Sequence, residues 1–253
     1  MLYPKIMIAA NPEECAKVAA DLFEALIRSK PACVLGLATG STPIPLYKEL
    51  IAREKAGRID FSRVRTANLD EYKGLPVTHD QSYRYFMNDN LFLHVNIDIA
   101  RTNVPNGMAE DIEAECKRYD ALVQSLGCAD LQLLGMGHDG HIAFNEPCDH
   151  FPWGTHLVDL DPMTLEANAR FFDNDPKKVP NQALTMGIGT IMSARKILMI
   201  VSGSDKSAIL AKALLGPIPP SVPASALQLH SDVTVVADEA ALADYVKQGG
   251  KLA

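Results

Sequence analysis

The chain has 253 residues, 47% of them hydrophobic and 22% charged, enough for one large or two small domains around a substantial core. A formal net charge of -7 argues against a nucleic-acid or anionic-membrane surface, although a local cluster of donors could still hold an anion. No apolar run approaches the roughly 20 residues that cross a bilayer, and five cysteines without CxxC spacing fit reduced thiols in a cytoplasmic protein.

The opening "MLYPKIMIAANPEEC" joins a strand-length apolar patch to acids, which is not a secretory signal. "KIMIAA" reads as a strand, and Asn11-Pro12-Glu13-Glu14 supplies an N-cap, a first-turn proline and an acidic first turn for the helix that follows. "ACVLGLA" is a second buried strand, then "TGSTP" and a helix from about Ile44 to Lys55 closed by Gly57. "RVRTANL" is a third strand, "HDQSYRYFMNDNLF" begins a helix, and "EDIEAECKRYDALVQSLG" is a long amphipathic one. "LQLLGMG", "KILMIVSG" and "VTVVAD" are further strands, and the last two lead into "SDKSAILAKALLG" and "EAALADYVKQGG". Continuous apolar strands alternating with amphipathic helices predict an α/β fold, a parallel sheet covered on both faces. The segment from about 147 to 181 is the least regular stretch, and an insertion of that length points to a lid. "GPIPPSVPAS" is expected to be a rigid structural turn.

Every polar cluster of interest follows a strand, where open α/β sheets bind ligands. In "TGSTP", Gly40 permits a tight turn, Ser41 and Thr42 offer hydroxyls, and Pro43 starts a helix, together an anion site. It is neither a Walker loop nor a GxGxxG, which disfavours a nucleotide. "SGSDK" repeats the arrangement and adds Lys206, while Arg170 sits in the lid segment. "GHDGHIAFNEP" gathers His138, Asp139, His141 and Glu146. Gly137 and Gly140 break the helix that a helical zinc motif would need, and no nucleophile elbow supports a serine triad. Proton transfer suits these residues best: a histidine moves protons near neutral pH while a carboxylate fixes its tautomer. Asp70, in "LDEY", offers a separate carboxylate, and isomerisation beside a carbonyl needs a base distinct from a histidine acid.

"GLATGSTPIPLYK", "ANLDEYKGLP", "GMGHDGHIAFNEP", "ANARFFDND", "ALTMGIGT" and "LQLH" occur in the order of the glucosamine-6-phosphate deaminases, also called glucosamine-6-phosphate isomerases. The chain resembles that family over nearly its whole length, and "LDEYKGLP" with "DGHIAFNEP" is highly specific. The resemblance implies a single domain over 1–253 with a modified doubly wound, Rossmann-like, mostly parallel sheet and a lid at about 147–181. It implies conversion of glucosamine 6-phosphate and water to fructose 6-phosphate and ammonia in cytoplasmic amino-sugar catabolism, without metal or organic cofactor. By similarity Asp70 moves the C2 proton to C1, His141 protonates the ring oxygen, and Asp139 and Glu146 are its carboxylate partners. By the same similarity Gly40, Ser41, Thr42, Arg170 and Lys206 hold the phosphate.

The expected partner is therefore a small sugar phosphate, not a nucleic acid or a membrane, and the expected assembly is a monomer or small homo-oligomer. Members regulated by N-acetylglucosamine 6-phosphate carry basic residues after "NEP"; here 148–169 contain no lysine or arginine and the chain stops soon after its last helix. Neither that regulation nor its hexamer is expected. His138 stands where the family often has asparagine and receives no role. 6-Phosphogluconolactonases share the Gly-x-Asp-Gly-His signature, but "AFNEP" with Glu146 and Asp70 within "LDEY" favour the deaminase. A sugar-phosphate-sensing regulator would need a DNA-binding unit, and this acidic chain opens directly on a strand.

Overall fold

Local rules set the first unit of this computed structural model, which describes residues 4–252. Strand β1 (Lys5–Ala9) ends at Asn11, whose Oδ1 accepts the Glu14 N–H at 2.9 Å and starts α1 (Pro12–Ser29). The pattern then repeats: β2 (Val34–Leu37), α2 (Ile44–Lys55), β3 (Arg65–Asn68), the three-residue β4 (Asp70–Tyr72), α3 (Tyr83–Asn90) and a two-residue β5 (Thr102–Asn103). Next come α4 (Ile112–Ser125), β6 (Leu131–Leu134), β7 (His156–Asp159), α5 (Pro162–Asn168), β8 (Gln182–Thr185) and α6 (Ile188–Met192). Strand β9 (Ile197–Val201), α7 (Ser207–Leu215), β10 (Val233–Asp238) and α8 (Glu239–Lys247) complete the chain.

Seven strands form one parallel sheet in the order β1-β10-β9-β6-β2-β3-β5. β2, β6 and β9 are buried at every position, so both faces of the sheet are covered, as their unbroken apolar runs require. Helix α1 packs on α2 and β10, and α7 on α8. The chain runs from β1 past the centre to β2, β3 and β5, then returns through β6, β9 and β10 on the other side of β2. The order therefore reverses between β2 and β6, and the loops leaving those two strands are "TGSTP" and "GHDGH". That reversal is where an open α/β sheet leaves a crevice.

The segment at 147–181 is more organised than its composition suggests. Its strand β7 pairs antiparallel with β8, and β8 pairs antiparallel with β4, giving a second, three-stranded sheet. Tyr72, Phe144, Leu160, Phe172, Val179 and Ala183 form a small apolar core of their own beneath it. "LDEY" is thus not only the loop after a strand: Leu69 hands the chain from one sheet to the other. Its N–H donates to Leu37 O at 3.2 Å, and its carbonyl accepts the Met186 N–H at 2.8 Å. The proline turn at 216–225 buttresses the "GHDGH" loop, with the Ala224 N–H donating to Gly140 O at 2.9 Å.

Candidate active site

At the reversal point lies a cavity of about 360 Å³, within the size range of small-ligand sites. Gly40, Ser41, Thr42, Asp70, His141, Arg170 and Lys206 all line it. Asp139 and Glu146 do not; they stand behind His141 and reach the cavity only through its ring.

One end gathers two hydroxyls and two cationic side chains around a tight turn, chemistry that suits an anion. Gly40 has φ +89°, a conformation that admits glycine readily, and it turns the chain so that 39–42 face the cavity at the start of α2. Arg170 reaches over from the 147–181 segment, with Nη2 donating to Ser41 Oγ at 3.4 Å and the guanidinium 4.7 Å from the Phe171 ring centre. Lys206 closes the same end from the short 3-10 turn at Ser204–Lys206. Burial lowers its pKa, partly offset by Asp205 and Asp139, since desolvation disfavours the charged ammonium.

The other end carries two titratable groups pushed above their ordinary range. Asp70 begins β4, opposite Thr185 of β8, and is 5% exposed. No described residue donates a hydrogen bond to its carboxylate. Burial, then the charge of Glu71, pushes its pKa up to about 8 against the opposing pull of His141. Glu71 is buried beside it but is satisfied, accepting the N–H groups of Tyr72, Tyr83 and Arg84 at 2.9, 2.8 and 3.0 Å. It thereby caps α3.

His141 shows the converse balance. Burial lowers its pKa, but Asp139 and then Glu146 outweigh burial and raise it to about 9. Nδ1 lies 2.7 Å from Asp139 Oδ1 and 3.5 Å from Glu146 Oε2. Both are charge contacts that fall short of aligned hydrogen bonds. Desolvation would raise the Asp139 pKa, yet the neighbouring imidazolium holds that carboxyl well below the usual carboxylate range. The His141 backbone N–H also donates to Asp139 Oδ1 at 3.0 Å, fixing the carboxylate against the ring. A Cβ at Gly137 would fall inside the imidazole, so only glycine lets the ring lie there. Glu146 is tied to the 147–181 segment, with Oε1 accepting from Thr164 Oγ1 at 2.7 Å. Asp139, His141 and Glu146 each offer a ligand atom within 4.8 Å of the others, close enough by distance for a cation. A protonated imidazole, however, has no lone pair at Nδ1, so the trio suits a shared proton better than a metal.

Thr185 joins the two halves. Its strand pairs with Asp70, and its Oγ1 accepts the Phe144 N–H at 3.1 Å. Asn145 Nδ2 donates to Met186 O at 2.8 Å in the same region. Sequence reasoning did not find Tyr83, Thr164, Asn168 or Asp205, although each contacts the cavity. For Thr164 a signal existed: "DPMT" is a cap-and-proline helix start, and Asp161 Oδ1 accepts the Met163 N–H at 2.8 Å. Tyr83 and Asn168 reach the site only through tertiary packing.

Residues 9–236 match the family described as glucosamine-6-phosphate isomerases/6-phosphogluconolactonase. A glucosamine-6-phosphate deaminase of Lachnoclostridium phytofermentans is 55% identical over 232 residues, 92% of this chain and 98% of that protein. One from Clostridium perfringens is 52% identical over 235 residues, 93% of this chain and 97% of its own. The solved structure of a monomeric glucosamine-6-phosphate deaminase superposes with a TM-score of 0.92 at 47% identity, covering 95% of this chain and 99% of that one. A 6-phosphogluconolactonase from Trypanosoma cruzi, at TM-score 0.75 and 19% identity over 96% of this chain and 97% of its own, shares the fold.

Proposed function

The chain belongs to the glucosamine-6-phosphate isomerase/6-phosphogluconolactonase family, and from that premise we propose that it converts glucosamine 6-phosphate and water to fructose 6-phosphate and ammonia. The observation that carries the reading is the convergence of Asp70, His141 and a two-sided cationic anion grip on one cavity.

The phosphate is held by the hydroxyls of Ser41 and Thr42, the backbone at Gly40, and the charges of Arg170 and Lys206. Binding energy at this remote group helps position the reacting carbons. With Nδ1 turned to Asp139, His141 presents Nε2 to the sugar and gives its proton to the ring oxygen as the C1–O bond breaks, and the neutral imidazole then takes up the proton released by the C1 hydroxyl. The open chain has a C1 aldehyde, which acidifies the C2 proton. Asp70 takes that proton while the ammonium group passes one of its own to the C1 oxygen, leaving an enolamine, and Asp70 then returns its proton to C1, leaving a protonated imine at C2. Water adds to the imine, and ammonia departs as the ketone forms.

Asp70 suits the base because an unsolvated carboxylate of raised pKa is a stronger base than one in water. The substrate's ammonium group, brought beside it, favours the ionised form that the step requires. Asp139 and Glu146 keep His141 cationic, hence able to donate. Segment 147–181 acts as a lid, bringing Arg170 to the phosphate and Thr164 to Glu146.

The test is a coupled assay for ammonia and fructose 6-phosphate. Equal amounts of both from glucosamine 6-phosphate, with no comparable hydrolysis of 6-phosphogluconolactone, are expected. Lactone hydrolysis without ammonia release would overturn the reading.

A further inference from the structure

His138 and Asp205 belong to neither the proton-transfer trio nor the anion grip, yet both line the cavity. His138 Nε2 lies 2.7 Å from Asp205 Oδ2 across the gap between the loops that leave the adjacent strands β6 and β9. Asp205 directly precedes Lys206, so a carboxylate stands at the end of the site where a phosphate dianion must come.

That carboxylate has no evident structural duty. Both partners are exposed, 53% for His138 and 58% for Asp205, and such pairs add little to stability. Nor does the pair brace the turn that carries Lys206. The Gly203 N–H donates to both Asp238 oxygens at 3.2 and 3.1 Å, and Ser207 Oγ accepts the Asp244 N–H at 2.8 Å. The opposite loop is held by its own backbone, Gly137 N–H to His141 O at 2.9 Å, and by Ala224 beneath Gly140. What the pair changes is charge. A Cβ at Gly203, where φ is +94°, would come within 2.5 Å of Asp205 Oδ1, so glycine leaves room for the carboxylate to lie there. Desolvation works against ionisation of Asp205, but the His138 hydrogen bond, the residue's own backbone N–H and the neighbouring charges together outweigh it and hold the carboxyl below its ordinary range. Unmasked, this anion would oppose Lys206 and Arg170, the cations facing it, and add to Asp139 behind.

We propose that His138 masks the charge of Asp205 at the phosphate end of the cavity and thereby sets how tightly a phosphorylated ligand is held. His138 is a positioning residue, acting through Asp205 and Lys206. The inference rests on the deaminase reading for its substrate, but not for its effect on phosphate.

Four proteins decide it: wild type, His138→Gln, Asp205→Asn and the double variant. Each is measured for KM and kcat with glucosamine 6-phosphate and for the Kd of inorganic phosphate by calorimetry. Glutamine can still donate an N–H to Asp205 but, unlike an imidazole, has no protonated form. His138→Gln is expected to raise KM and the phosphate Kd about three- to tenfold at low salt, with kcat changed less than twofold and the difference shrinking at high salt. Asp205→Asn should weaken neither constant, and adding it to His138→Gln should restore both. Unchanged constants in His138→Gln, or equal weakening in Asp205→Asn without rescue in the double variant, would overturn the proposal, the second result marking a geometric brace. A wild type that releases no ammonia while its phosphate affinity follows this pattern would sink the deaminase reading and leave the proposal standing.

Discussion

Replacing Asp70 by asparagine should make the fold more stable, and by an amount that depends on pH. The carboxyl goes from an ordinary 3.8 to about 8 in the folded protein. Below about pH 4 it is protonated in both states and contributes nothing to the difference. As pH rises from there toward 8, the unfolded chain releases the proton while the folded one keeps it, so stability is lost steadily; above about 8 the full penalty is present. At about 1.4 kcal/mol for each pH unit of displacement the ceiling is roughly 6 kcal/mol, and water penetration and local relaxation bring the expectation to about 2–4 kcal/mol. Asparagine has nearly the same shape and no charge, so its curve lacks this component. Urea unfolding followed by circular dichroism at pH 4.5, 6, 7.5 and 8.5 reads the difference directly. The gap between the two proteins should open with pH and level off above 8, while the variant loses ammonia release. A gap that is constant with pH, or a wild type more stable than the variant at pH 8.5, would refute the claim that burial and Glu71 hold Asp70 in a costly state.

Three further outcomes are expected. The kcat/KM profile should be bell-shaped, rising through about pH 8 as Asp70 ionises and falling through about pH 9 as His141 loses its proton; Glu146→Gln, removing one of the two acids that raise the imidazole, should move the falling limb to lower pH. Gly137→Ala drives a methyl group into the His141 ring and should reduce kcat by about 100-fold or more while inorganic phosphate still inhibits normally; wild-type kcat in that variant would show that the ring position does not matter. With no lysine or arginine in 148–169, N-acetylglucosamine 6-phosphate should not activate, so rate curves stay hyperbolic with or without it; a sigmoidal curve that this compound straightens would contradict the expectation.

The sheet was legible because its strands are buried on both faces and so read as unbroken apolar runs, "VLGL", "LQLL" and "ILMIV". Asn11 and Pro12 likewise announce α1 by chemistry that acts within four residues. The second sheet was not legible. β4 is Asp-Glu-Tyr, a three-residue run whose two acids disfavour strands and which is drawn into one by pairing with β8. β7 is four residues long with alternating half-exposure, too short for a period to stand out, which is why 147–181 reads as irregular. In the site, "TGSTP" and "GHDGH" could be found because glycine at φ near +89° and a hydrogen-bonding loop leave a local signature. The charge states could not. That Asp70 is unsolvated and His141 cationic follows from burial and from partners that the fold alone supplies.

The most direct measurement follows label from carbon to carbon. Given glucosamine 6-phosphate deuterated at C2 in ordinary water, the wild type should carry part of the deuterium to C1 of fructose 6-phosphate, since one buried carboxylate serves both carbons. Asp70→Asn should show neither label transfer nor ammonia while binding inorganic phosphate as before. Ammonia released by that variant at the wild-type rate would mean that the base lies elsewhere.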